Sequence, residues 1–176
     1  MYVGRILYNK GVFDLIDAIK ILNTIKNRFK FFIMGDFDEK NPSGIKKIDF
    51  FKSIKNIKNI NYLSYNKNIS SFIYKYSSVI IPSHHEGAPK IILEASASGR
   101  LIFASDIAGC RNLIKNNTNG ILFKKSDPNN LAKNITKTFK NKKKIELMRK
   151  KALIKARKSF SIEKVIEAHK RVYSSL

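Results

Sequence analysis

Apolar positions along the chain fall into two patterns that alternate. Uninterrupted apolar runs, rich in Ile, Val, Phe and Tyr, mark strands at residues 2–7, 29–36, 60–65, 79–81 and 101–106, and a run at 121–123 brings the number to about six. Such runs suit strands covered on both faces, as in a parallel sheet. Between them the period lengthens to that of a helix. Val12, Leu15, Ile16, Ile19 and Leu22 give a helix over residues 11–26, and further helices are predicted over 46–57 and 70–76, the last capped by Ser70. The polar stretch 37–47, with Pro42 and Gly44, reads as a loop. Pro89 suits a first helical position and Gly99 the far cap of the same helix; Asp127 and Pro128 repeat the start signal. Lys-rich helices with one apolar stripe come next over 131–158, and a closing helix over 162–174. Strand and helix in alternation predict a doubly wound α/β domain with a Rossmann-like parallel sheet.

The stretch around which the chain is organised is His84-His85-Glu86-Gly87-Ala88-Pro89-Lys90-Ile91-Ile92-Leu93-Glu94-Ala95. It succeeds a buried-type strand and runs into a helix. The amides of Gly87 and Ala88 then lie just outside a helix N-terminus, where free N–H groups favour a negatively charged or oxygen-rich ligand. Glu86 precedes the helix, and Glu94 lies five residues beyond Pro89, or about 8 Å along the axis. Two carboxylates so placed can hold different parts of one extended ligand. They also suit a loop carboxylate and a salt-bridged helix residue, and the flanking segments decide between these readings. Arg5 and Lys10 fall at the exit of the first strand and the start of the next helix. Ligands of open α/β sheets bind beyond such strand ends, and two cations beside a helix N-terminus make a diphosphate site.

These segments resemble the donor-binding, C-terminal half of retaining glycosyltransferases of the GT-B fold, family 4. Glu86 to Glu94 resembles that family's E-x7-E segment, and Gly4-Arg5-Ile6-Leu7-Tyr8-Asn9-Lys10-Gly11 its G-R-x(4)-K-G. The resemblance implies that Arg5 and Lys10 grip the nucleotide diphosphate and neutralise charge as it departs. It also implies that Glu86 holds the sugar hydroxyls, the backbone of Gly87, Ala88 and Pro89 contacts sugar and phosphate, and Glu94 holds the ribose. Gly35-Asp36 resembles the loop near the nucleoside, whereas Ser64 or Tyr65 stands where a glycine is common. Ser105-Asp106-Ile107-Ala108-Gly109-Cys110-Arg111 is similar to a T-D-x-x-G-C-R found in members that build bacterial surface polysaccharides and lipid-linked oligosaccharides, such as lipopolysaccharide or capsule. Asn119 to Phe123 and the closing Phe160-Ser161 helix are similar to later family segments, with Ile162 in place of a Trp.

The resemblance implies a hexosyltransferase-like transferase acting with retention of configuration, with a nucleotide-sugar donor, UDP-activated, and no cofactor or obligatory metal. The acceptor it implies is a glycan or lipid-linked glycan. The resemblance spans residues 1–176 as one donor domain, and the N-terminal acceptor half of a GT-B enzyme is not in the sequence, so it is expected in cis or in a separate partner chain. The alternative is a catalytically incomplete module that binds nucleotide-sugar and turns nothing over.

Composition changes this picture in one respect. With 35 Lys and Arg against 13 Asp and Glu, the 176-residue chain carries a formal net charge of +22. An aromatic RNP motif and an Arg-rich tract are missing, so a nucleic-acid partner is the weakest reading. Anionic lipid headgroups attract such a chain more directly, at about 1 kcal/mol per Lys near the surface. No apolar run is long enough to cross a bilayer, and the first residues read as structure rather than a signal peptide. The single cysteine, Cys110, excludes an internal disulfide and fits a reducing, cytoplasmic setting, peripheral to the inner membrane face. Cys110 reads as a small buried hydrophobe. His84, His85 and His169 have no metal-ligand spacing, so a metal site is not expected, and a dinucleotide G-x-G-x-x-G and a P-loop are missing.

Overall fold

The computed structural model describes residues 1–25 and 29–174. Its strands are β1 (Tyr2–Val3), β2 (Phe31–Met34), β3 (Ile60–Leu63), β4 (Ser78–Ile81), β5 (Leu101–Ser105) and β6 (Ile121–Phe123). All ladders are parallel, in the orders β1-β2-β3 and β4-β5-β6. The two ladders meet where Ile80 N donates to Met1 O at 2.8 Å, which makes one continuous order 3-2-1-4-5-6. The direction of winding reverses between β1 and β4. Crevices of this kind, beyond the carboxyl ends of strands at a reversal of order, are where open α/β sheets bind ligands.

Eight helices accompany the sheet among the described residues: α1 (Val12–Thr24), α2 (Lys47–Ile54), α3 (Ile69–Ile73), α4 (Lys90–Ala97), α5 (Ala108–Leu113), α6 (Pro128–Phe139), α7 (Lys142–Ser159) and α8 (Ile162–Tyr173). One core joins Leu15, Ile16 and Ile19 of α1 to Phe50 of α2, Phe103 of β5 and Leu131 and Ile135 of α6. The other packs Ile73 of α3, Ile92 and Ala95 of α4 and Cys110 and Leu113 of α5 against Val79, Ile81 and Ile102. β5 is buried at every position, as its apolar run requires of a strand covered on both sides.

Several boundaries differ from the sequence reading. The first strand keeps ladder pairing only over Tyr2–Val3; Ile6 and Leu7 make isolated bridges to Phe37 and Gly44. The chain bends at Gly4, whose carbonyl approaches Gly35 so closely that an added Cβ there would stand 1.8 Å from it. Ser70 does not cap a helix: α3 starts after Asn68 without a side-chain cap, Ser70 Oγ bonds Asn68 Oδ1 at 3.2 Å, and the helix ends at Ile73. Pro89 is the flanking residue of α4 rather than its first, with ψ 111° in the extended region, while its carbonyl accepts from Ile92 N at 2.9 Å. Gly99 lies past the end of α4 at φ +59°, the left-handed conformation in which a glycine costs little. Asp127 caps α6 as expected, its side chain accepting from Asn130 N at 2.9 Å. The predicted end of α1, at residue 26, lies outside the described residues.

Candidate functional site

The loops leaving β1 and β4 converge over the reversal point. Arg5, Lys10, Ser83, Glu86, Pro89 and Lys90 line one cleft there, of about 260 Å³, with Tyr2 at its floor. Lys10 ends the short 3-10 helix Tyr8–Lys10, and Gly11 comes next at φ +66°. A Cβ on Gly11 would meet Pro82 O at 2.0 Å, so only glycine lets this turn lie on the end of β4. That approach brings Lys10 Nζ within 2.7 Å of Glu86 Oε1, and Ser83 Oγ donates to the same oxygen at 2.8 Å. The Lys10 and Glu86 side chains are 24% and 17% exposed, so the pair is poorly screened by water.

Arg5 behaves differently. Its Nη1 lies 2.8 Å from Asp38 Oδ2, with side chains 57% and 36% exposed, and such an exposed pair is weak and readily exchanged. The buried Tyr2 hydroxyl donates to Arg5 O at 2.7 Å and holds the loop rather than the guanidinium. Burial and the nearby Glu86 charge push the Tyr2 pKa up, so it stays a donor.

Glu86 itself is held from below by a residue that sequence reasoning left unassigned. A Cβ on Gly109, in α5, would stand 2.2 Å from Glu86 O and 2.3 Å from Gly87 O; the hydrogen at that position lets α5 support the turn. Asp14, also unassigned, lies 2.6 Å from His84 Nε2, and His84 N donates to Asn9 O at 2.9 Å. These contacts tie the β4–α4 loop to α1. Asp14 shows in the sequence only as an acidic residue in a helix's first turn; nothing there says that a residue seventy positions away will meet it.

Gly87 and Ala88 are exposed on the turn, and their N–H groups have no protein partner among the described residues. Nothing lies within 4 Å of a Cβ built on Gly87, so the turn presents open backbone. Gly87 faces a second hollow with His85, Arg111 and Lys125. Arg111 caps the β5–α5 loop, its Nε 2.6 Å from Asp106 Oδ1. Glu94 lies one turn beyond Lys90, 3.5 Å from its Nζ, and does not line the Arg5–Lys10–Glu86 cleft. The structure thus brings Arg5, Lys10, Glu86 and Pro89 together, sets Gly87 and Ala88 on the adjoining turn, and leaves Glu94 along the helix.

Cys110 is buried, and burial, with the Glu86 and Asp106 charges adding, pushes its thiol up to about 12. It is no nucleophile near neutrality. No group of three His, Cys, Asp or Glu side chains gathers at metal-binding distance among the described residues.

The family model for glycosyl transferases, group 1, matches residues 1–155. The chain belongs to the group 1 glycosyltransferases. Among curated relatives, an uncharacterized glycosyltransferase of Methanocaldococcus jannaschii, MJ1178, is 30% identical over all of this chain and 48% of its own length. The N,N'-diacetylbacillosaminyl-diphospho-undecaprenol alpha-1,3-N-acetylgalactosaminyltransferase of Campylobacter jejuni is 29% identical over 81% of this chain and 36% of its own. The chain therefore spans half or less of the length of these relatives. Among solved structures, Anabaena Alr3699/HepE in complex with UDP superposes with a TM-score of 0.90 at 20% identity, over 99% of this chain and 48% of that one. The fold is that of the Rossmann-like C-terminal domain of GT-B glycosyltransferases.

Proposed function

We propose that this group 1 glycosyltransferase chain is the donor-binding half of a retaining, family 4 enzyme. It takes a UDP-sugar and, with an acceptor-binding half in cis or in a partner chain, transfers the sugar to a glycan or lipid-linked glycan of a bacterial surface polysaccharide. The observation that carries the proposal is the cleft in which Arg5, Lys10 and Glu86 meet at the reversal point of the sheet. In this reading Lys10 and Arg5 receive the diphosphate, Arg5 exchanging Asp38 for a phosphate oxygen. Both then stabilise the negative charge that grows on the leaving group, an electrostatic effect of the kind that contributes most to many enzymes.

Glu86, held by Lys10 and Ser83, fixes a sugar hydroxyl. The backbone of Gly87, Ala88 and Pro89, with the unpartnered amides of the first two as donors, contacts sugar and phosphate, and Glu94 takes the ribose. Transfer in this reading needs no obligatory metal and no cofactor beyond the donor. The UDP-bound Anabaena structure and the diphospho-undecaprenol substrate in the name of the Campylobacter relative support the donor and acceptor classes. The protein works in the cytoplasm at the inner membrane face; no helix among the described residues is long and apolar enough to cross a membrane.

Titration calorimetry of the chain with UDP, GDP and ADP tests the proposal. Binding selective for UDP is expected; a folded chain that binds none of the three refutes it. The alternative is a catalytically incomplete module that binds nucleotide-sugar and turns nothing over. UDP binding with no transfer even after an acceptor-binding half is added identifies that case.

A further inference from the structure

The outer face of α2 and the segment that joins it to the edge strand β3 form an open groove lined by Ile48, Phe51, Ile54, Ile57 and Ile60 and by Lys47, Lys52, Lys55 and Lys58. Ile48 is 74% exposed and Phe51 38%. The Phe51 ring is braced by Phe37, Phe50 and Tyr62 at centroid distances of 5.3–6.1 Å, so the apolar shelf is rigid. No carboxylate lines the groove, and none of the four lysines has an ion-pair partner among the described residues. An apolar strip edged by unpaired lysines, whose stems reach along it and whose ammonium groups stay in water, matches the boundary of an anionic bilayer.

We infer that α2 is a membrane-docking surface, with Ile48 and the edge of Phe51 entering the headgroup boundary and Lys47, Lys52, Lys55 and Lys58 binding anionic phospholipid headgroups. The inference rests on the reading that the chain works at a membrane face, and it adds where the contact is made. A second copy of the chain does not fit the groove, because pairing this face with itself sets lysines against lysines. The position also serves the site. The segment joining β2 to α2 carries Asp38, the partner of Arg5, so docking there holds the donor cleft near the bilayer where a lipid-linked acceptor resides.

Each lysine near an anionic surface strengthens partitioning about fivefold, and four together on the order of several hundredfold. The test is sedimentation of the full chain with vesicles of equal parts phosphatidylglycerol and phosphatidylcholine, against phosphatidylcholine alone. The wild type is expected to pellet only with the anionic vesicles. Replacing Lys47, Lys52, Lys55 and Lys58 by Gln is expected to weaken partitioning at least about fiftyfold, and Ile48→Asn about tenfold.

A control with Lys133, Lys137, Lys140 and Lys142 replaced by Gln loses the same charge elsewhere and is expected to lose less than about fivefold. Equal losses in the two quadruple variants, or no pelleting of the wild type, overturn the inference. So does a change in oligomeric state on altering α2 with vesicle binding intact. Circular dichroism checks folding. UDP calorimetry on the α2 variant separates the two readings, since its UDP affinity is expected to stay at the wild-type value. Vesicle binding without UDP binding refutes the donor reading alone, and the converse refutes the docking surface alone.

Discussion

Replacing Lys10 by Met tests the proposed site most directly, because the proposal gives Lys10 the diphosphate while the structure pairs it with Glu86. Its Nζ is 2.7 Å from Glu86 Oε1, in a pair three-quarters or more shielded from water. Removing one member of a largely buried pair is costly, but here Ser83 still donates to the same carboxylate oxygen. The expected loss is about 1–3 kcal/mol, and the unfolding midpoint falls by roughly 2–12 °C for a chain of this size.

A charge-assisted bond to a phosphate oxygen contributes about 1.5–3 kcal/mol, so UDP affinity is expected to fall roughly 10- to 150-fold. UDP carries no transferred sugar, which separates Lys10 from Glu86. The double variant Lys10→Met/Glu86→Gln has no uncompensated carboxylate and is expected to regain most of the stability while UDP binding stays weak. Thermal unfolding and calorimetry on the same samples read both quantities. UDP affinity unchanged in Lys10→Met, or fully restored in the double variant, refutes the assignment of Lys10 to the diphosphate and leaves it as the counter-ion of Glu86.

Arg5→Ala and Glu94→Ala are each expected to weaken UDP binding while leaving the fold intact. For Arg5, whose pair with Asp38 is exposed, stability should move by less than about 0.5 kcal/mol; unchanged affinity in both folded variants would sink the site assignment. Gly109→Ala, which in an open helix is stabilising, is expected instead to cost about 1–3 kcal/mol by pressing on the Glu86 and Gly87 carbonyls, with weaker binding of UDP-sugar. A variant as stable as wild type would show that α5 does not support the turn. The folded Cys110 thiol is pushed up to about 12 from an ordinary value of 9.0. Its contribution to stability is complete below about pH 9 and is lost between there and about pH 12, at up to about 1.4 kcal/mol per pH unit. Urea unfolding of wild type and Cys110→Ala at pH 8 and pH 10 checks this; the expected result is a smaller alkaline loss in the variant, and equal losses count against it.

Much of this architecture is local enough to be written in the sequence. Uninterrupted β-branched runs demand burial on both faces, and helical periods beside them demand a sheet to cover, so the α/β class and six strands come from Val79–Ile81 or Leu101–Ser105 and their neighbours. The Asp127 cap and the Gly99 stop are likewise local, because each depends on backbone conformation within one turn. Strand order is not local. Met1 and Ile80 carry no mark in the sequence of the hydrogen bond that joins the two ladders, yet that bond creates the reversal point and brings Lys10 to Glu86.

The same holds for the residues that hold the site. Asp14, Asp38 and Gly109 act across distances in the chain that no spacing rule spans. Gly109 is needed only because the Glu86 and Gly87 carbonyls close on it in space. Ser70 failed as a cap for a related reason: Asn68 already bends the backbone there, and its side chain takes the serine hydroxyl. By itself the sequence determined most of the strand and helix segments, though not the short helix α5, and which side chains bear charge, since both depend on neighbours along the chain. Tertiary structure alone decided which charges meet, which amides stay open and which apolar face of α2 is left uncovered, because these depend on packing between elements that the chain keeps far apart.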